Sequence, residues 1–189
     1  MWAYVQNNQV TQVYQNPKPI TIGDVNYPAN IFSLWSASEL EAISIYEVVE
    51  DNSNYQDPAY YINTNQSFVY ANGVVTASYG PATPQDLDDT TNPDGTVTPG
   101  LKSNAVTTQK QQAYGLLQPS DWYVVRKSEN GVDIPADWDS WRESIRTTCE
   151  SQVAMINACT TVPELQALYI YSGEPPTRPL PEFPPQPSS

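Results

Sequence analysis

The hydrophobic repeat of this chain changes partway along it, and that change limits what the chain can fold into. Up to Tyr79 apolar residues recur in short alternating runs, punctuated by Asn7-Asn8, Gly23-Asp24 and Asn72-Gly73. From Leu101 onward they recur at steps of three and four. A period of two belongs to strands and one near 3.6 to helices, so each half is committed to a different structure. Between them runs GPATPQDLDDTTNPDGTVTPG, Gly80 to Gly100, whose prolines and acids read as a linker or long exposed loop. The expected fold class is α+β. A β-hairpin-rich domain with one short helix occupies 1–79, the linker 80–100, and a small all-helical domain 101–172. A proline-rich extended tail, 173–189, closes the chain.

Local signals place the elements. MWAYVQNNQVTQVYQN reads as a hairpin turning at Asn7-Asn8, with Trp2 and Tyr4 on its apolar face. AYYINTNQSFVYANGVVTASYG holds the strongest hairpin signal, because its Asn72-Gly73 pair suits the positive φ angles of a tight turn. Ser36 and Glu39 form a capping box for a helix over about 37–43. In the second half, LKSNAVTTQKQQAYGLL predicts a helix stopped by Pro119. Ser120 is then expected to cap a short helix that ends at Asn130-Gly131. Pro135 starts a helix to about Ala158, with Trp138, Trp141, Ile145, Cys149, Gln152 and Ile156 on one stripe. Thr161 and Glu164 cap a last helix reaching about Tyr169.

Charge and composition narrow the function. Net charge is −13, with seven of the eight cations after residue 100. An acidic chain of this kind repels phosphate, so neither nucleic acid nor an anionic membrane is an expected partner. No run is long and apolar enough to span a bilayer, and the first residues lack the pattern of a secretory signal. Cys149 and Cys159 lie roughly 15 Å apart along a helix, too far for a disulfide, which suits a reducing compartment.

The absence of histidine removes Ser-His-Asp and Cys-His catalysis and most catalytic zinc sites. No glycine-rich phosphate loop is present. Asp86, Asp88, Asp89 and Asp94 lack the spacing of a calcium loop, and Asp137 with Asp139 suits a helix N-terminus better than paired-carboxylate chemistry. No enzyme, cofactor or metal is expected. Arg178, Pro181 and Pro184 match a cation-x-x-Pro-x-x-Pro ligand pattern, which short proline-rich segments also reach by accident.

The stretch Ser120 to Arg146 holds three of the five tryptophans and four of the eight cations. Small helical domains need large side chains for their cores, yet Trp and Arg also dominate binding surfaces. The ordered elements Leu116-Leu117, Ser120-Asp121-Trp122, Trp138, Trp141-Arg142 and Ile145-Arg146 resemble the phage tail assembly chaperone family. The resemblance covers about 109–168 and departs at Trp141, where tyrosine is commoner. The amino-terminal half looks like the β-rich front part of tailed-phage tail proteins.

The resemblance implies a non-enzymatic protein that binds a phage tail or tail-fibre polypeptide. It would work in the host cytoplasm during assembly and in some cases stay on the virion tail. Leu116, Leu117, Asp121, Trp122, Trp138, Trp141, Arg142 and Arg146 are its candidate partner contacts. A structural virion component is the alternative, and homo-oligomerisation is left open.

Overall fold

The computed structural model describes residues 1–187, so the last two residues of the expected 173–189 tail lie outside it, and it shows two compact units that divide between Thr83 and Pro84. The class is α+β, strand-rich first and helical afterwards.

In the first unit β1 (Trp2–Gln6) and β2 (Gln9–Tyr14) form the expected hairpin. Asn7 and Asn8 both adopt positive φ, 51° and 62°, as its tight turn requires. A second hairpin follows, β3 (Ile20–Ile22) and β4 (Val25–Tyr27). Two short helices come next, α1 (Ile31–Leu34) and α2 (Ala37–Ala42). The capping box on α2 forms as read: Glu39 N–H donates to Ser36 Oγ, and Ser36 N–H donates to the Glu39 carboxylate at 2.7 Å. The helix α1 was not expected. It has no side-chain cap and spans one turn, so it leaves no sequence signature and owes its form to burial of Ile31 and Phe32.

Strand β5 (Ile45–Asp51) is followed by β6 (Tyr61–Ile62), β7 (Ser67–Ala71), β8 (Val74–Ser78) and β9 (Thr83–Pro84). The main sheet has the order β2-β1-β5-β8-β7, parallel only between β5 and β8. Its edge strands β2 and β7 approach one another, so the sheet curls towards closure.

Curling buries one face, and the other is covered only near β1, since Val49 and Val69 on it are 55% and 56% exposed. On one side Tyr14, Ile20, Phe32 and Ile45 pack with Trp2 and Tyr4 beneath α1, α2 and the second hairpin. On the other, Ala3, Val5, Val48, Val75 and Ala77 pack together. The alternation had placed Trp2 and Tyr4 on the apolar face. In the fold Ala3 and Val5 are the deeper residues, at 0% and 6% exposure.

The second unit opens with β10 (Thr90–Thr91) and β11 (Val97–Thr98), a two-stranded ribbon. Four helices follow: α3 (Leu101–Leu117), α4 (Asp121–Asn130), α5 (Ala136–Ala158) and α6 (Val162–Ala167). A 3-10 turn, Gln118–Ser120, joins α3 to α4, so Pro119 bends the chain without ending its helical course.

The segment read as a linker is bonded to the second unit from Asp86 onward. Leu101 N–H donates to Asp86 O and Lys102 N–H to Leu87 O, both at 3.0 Å. Gly100 N–H donates to Asp89 Oδ1 at 2.8 Å. A helix begins with four amides lacking helical partners, and this loop supplies acceptors for the start of α3. The acids are occupied in such turns: Asp88 pairs with Lys102 at 2.5 Å, and Asp94 accepts from Thr96 N–H at 3.0 Å.

Candidate functional site

The candidate residues converge where α3, α4 and α5 meet. Helix α3 lacks a marked apolar stripe, but Gln109 and Ala113 are buried on it, and Trp141 and Ile145 of α5 pack on Ala113. The two helices are clamped at both ends by a cation on a helix-terminal carbonyl. Lys102 Nζ donates to Cys159 O at 3.3 Å, and Arg142 Nη1 donates to Leu117 O at 2.9 Å. Cations are favoured at helix C-termini, where free carbonyls concentrate negative charge. These contacts also show that α3 and α5 run antiparallel.

Arg142 is 4% exposed. Besides Leu117 O it donates to Ser120 Oγ at 2.5 Å and to Asp121 Oδ1 at 2.8 Å. Ser120 Oγ in turn donates to Leu117 O at 2.8 Å. Ser120 therefore does not cap α4, as its position had suggested. Its hydroxyl is used by the buried guanidinium, which fixes the 3-10 elbow against α5. Leu117, Ser120, Asp121 and Arg142 thus form one polar joint.

An aromatic row leads outward from the core. Trp141 meets Trp138 edge-on at 5.6 Å, Trp138 meets Tyr123 at 5.4 Å, and Tyr123 stacks on Trp122 at 3.9 Å. Arg126 lies over both outer rings, 4.9 Å from Trp122 and 5.1 Å from Tyr123. Exposure rises along this row. Trp141 is 6% exposed, Trp138 is half-buried, and Trp122 is 52% exposed beside an equally exposed Val125.

No protein-family model, curated protein or solved structure matches this chain.

The candidates therefore divide. Trp141 and Arg142, expected as partner contacts, are used inside the unit, and Asp121 is held by Arg142. Trp122 and Leu116 face solvent. Leu117 and Arg146 line a groove of about 320 Å3 between α3 and α5, with Ala113, Tyr114 and Cys149. Arg146 also makes an exposed 3.4 Å pair with Glu143, a weak interaction at such exposure.

Sequence reasoning missed Tyr123 and Arg126, which complete the exposed end of the row. The available signal was that Tyr123 adjoins Trp122 and that Arg126 follows Trp122 at i, i+4 and Tyr123 at i, i+3.

Burial pushes the thiols of both Cys149 and Cys159 up from their ordinary value, and both are free. A raised thiol is a poor nucleophile near neutrality. Among the described residues no cluster of three or more His, Cys, Asp or Glu side chains is arranged to hold a metal. No described helix is long and apolar enough to cross a membrane.

Proposed function

We propose that this chain is a non-enzymatic assembly chaperone for a phage tail or tail-fibre polypeptide, acting in the host cytoplasm during assembly. The observation that carries the reading is the ordered set Leu116-Leu117, Ser120-Asp121-Trp122, Trp138 and Trp141-Arg142. Its buried members build a rigid elbow, and its Trp122 stands 52% exposed next to Val125 on that elbow. A large aromatic held rigidly and left open suits a binding hot spot. The client would present strand-rich surface, whose unpaired edges aggregate until the fibre closes.

Co-expression with the tail-fibre protein of the same phage tests this. The fibre assembles in soluble form with the chain present and precipitates without it. Trp122→Ala lowers affinity for the fibre by about thirtyfold, the usual scale of a central aromatic contact, and leaves the fold intact. Equal fibre assembly with and without the chain overturns the reading.

A second reading, a structural component retained on the virion tail, rests on the tyrosine-rich hairpins and the low charged fraction of 15%. Purified particles would then contain the chain at a fixed ratio to tail proteins, whereas a dissociating chaperone would be found in the lysate alone.

A further inference from the structure

The proline-rich tail is not a free arm. After α6 the chain turns back through an exposed loop closed by the reciprocal backbone bonds of Ser172 and Thr177, at 2.8 and 2.9 Å. Leu180 then enters the helical unit at 0% exposure, and its N–H donates to Leu168 O at 3.0 Å. Two helix side chains reach the arm's backbone. Gln152 Nε2 donates to Pro181 O at 2.7 Å, and Trp141 Nε1 donates to Pro184 O at 3.1 Å. Phe183 packs against the cluster of Ala113, Trp141 and Ile145.

The anchors recur at the spacing of an extended proline-rich chain. A polyproline II helix has three residues per turn, so positions three apart share a face. Leu180 and Phe183 are three apart, and so are the carbonyls of Pro181 and Pro184. The apolar plugs and the acceptors thus each repeat every three residues, and all four meet the helical unit. Pro181 and Pro184 are also the prolines of the cation-x-x-Pro-x-x-Pro pattern. Receptors of such ligands use aromatic-lined grooves, and here Trp141 both packs beside Phe183 and donates to the arm.

We propose that this surface, formed by α3, α5 and the end of α6, is a receptor for an extended Leu-Pro-x-Phe-Pro segment. The chain's own arm fills it in cis, and the arm of a second copy fills it by exchange when copies are crowded. Every arm contact named above except the Ser172–Thr177 pair is the same whichever copy donates the arm, as in domain swapping. The turn at 173–176 and both bridge residues are exposed, so opening it uncovers no core. A short flexible tether holds its ligand at an effective concentration of about a millimolar. At micromolar protein each cleft keeps its own arm. Exchange competes only near or above that concentration, as where many copies are held side by side. This inference does not depend on the tail reading.

The test uses the full chain carrying Leu180→Glu with Phe183→Ala, and a fluorescent peptide of residues 177–187 as probe. The variant should keep its far-UV spectrum and bind the peptide saturably, at least tenfold more tightly than the unaltered chain. The peptide carrying Leu180→Glu should not bind. The unaltered chain should sediment as a monomer at about 10 µM and contain dimer above about 1 mM. A folded variant that does not bind the peptide overturns the receptor, and an unaltered chain that stays monomeric above that concentration overturns the exchange. Should the double variant unfold, Phe183→Ala alone replaces it. Unfolding there too overturns the proposal, because the arm would then be part of the core.

Discussion

Arg142 on α5 and Leu117 at the end of α3 lie 25 residues apart in sequence and are joined by a 2.9 Å hydrogen bond from Nη1 to the carbonyl. The guanidinium is almost wholly withdrawn from water, while its carboxylate partner Asp121 is about half exposed. Removing Arg142 leaves the Leu117 carbonyl and Asp121 without this donor. Arg142→Ala should destabilise the helical unit by about 3 kcal/mol, whereas Asp121→Asn should cost about 1 kcal/mol. Denaturant midpoints followed by tryptophan fluorescence check both. Equal costs would mean the ion pair, not the carbonyl contact, holds the elbow.

The curled sheet makes its own prediction. Ala3 lies at 0% exposure among Val5, Val48, Val75 and Ala77. Ala3→Leu adds three carbons to a closed interior and should cost about 1–3 kcal/mol. An open sheet would tolerate the same change on a solvated face. Thermal unfolding of the variant separates the two.

Gly100 is needed for close approach rather than for an unusual backbone angle. A Cβ placed there would lie 2.4 Å from both the carbonyl carbon and the oxygen of Asp88. Gly100→Ala therefore forces 86–89 away from the start of α3 and breaks acceptors that Leu101 and Lys102 use. A loss of about 1–3 kcal/mol is expected, with faster amide exchange at Leu101 and Lys102. Unchanged exchange would show that the loop is not fixed on the helix.

The capping box of α6 sets an acid limit. Glu164 accepts from Thr160 N–H at 2.7 Å, Thr160 Oγ1 at 2.9 Å and Thr161 N–H at 3.3 Å. The Thr160 backbone bond, followed by the Thr160 hydroxyl, holds its pKa below the ordinary value. The unfolded chain then binds more protons in the acid range. The stability this group contributes is present above about pH 4.3 and is lost as pH falls through its lowered folded value. Glu164→Gln should lower stability at neutral pH and flatten its decline between about pH 5 and 3. A variant with an unchanged slope would rule out Glu164 as a source of the acid sensitivity.

Much of this was legible in the sequence because it is local. Asn72 and Gly73 adopt φ of 51° and 81°, and the hairpin Ser67–Ala71 with Val74–Ser78 follows from their chemistry. Ser36 with Glu39 and Thr161 with Glu164 cap helices three residues away. The stripe on α5 placed Trp141, Ile145, Gln152 and Ile156 inside, because a helical period is fixed by the backbone.

Tertiary structure alone decided the rest. Ala3 outranks Trp2 in burial because the sheet curls, and curvature depends on β2 meeting β7 across the unit. Trp141 and Arg142 turned inward while Trp122 stayed out. No short-range rule separates them, since each is a side chain that cores and interfaces both favour. The segment 86–100 became the cap of α3, and the tail became its unit's own ligand. Both are irregular chain, whose placement depends on distant donors and acceptors that local propensity cannot see.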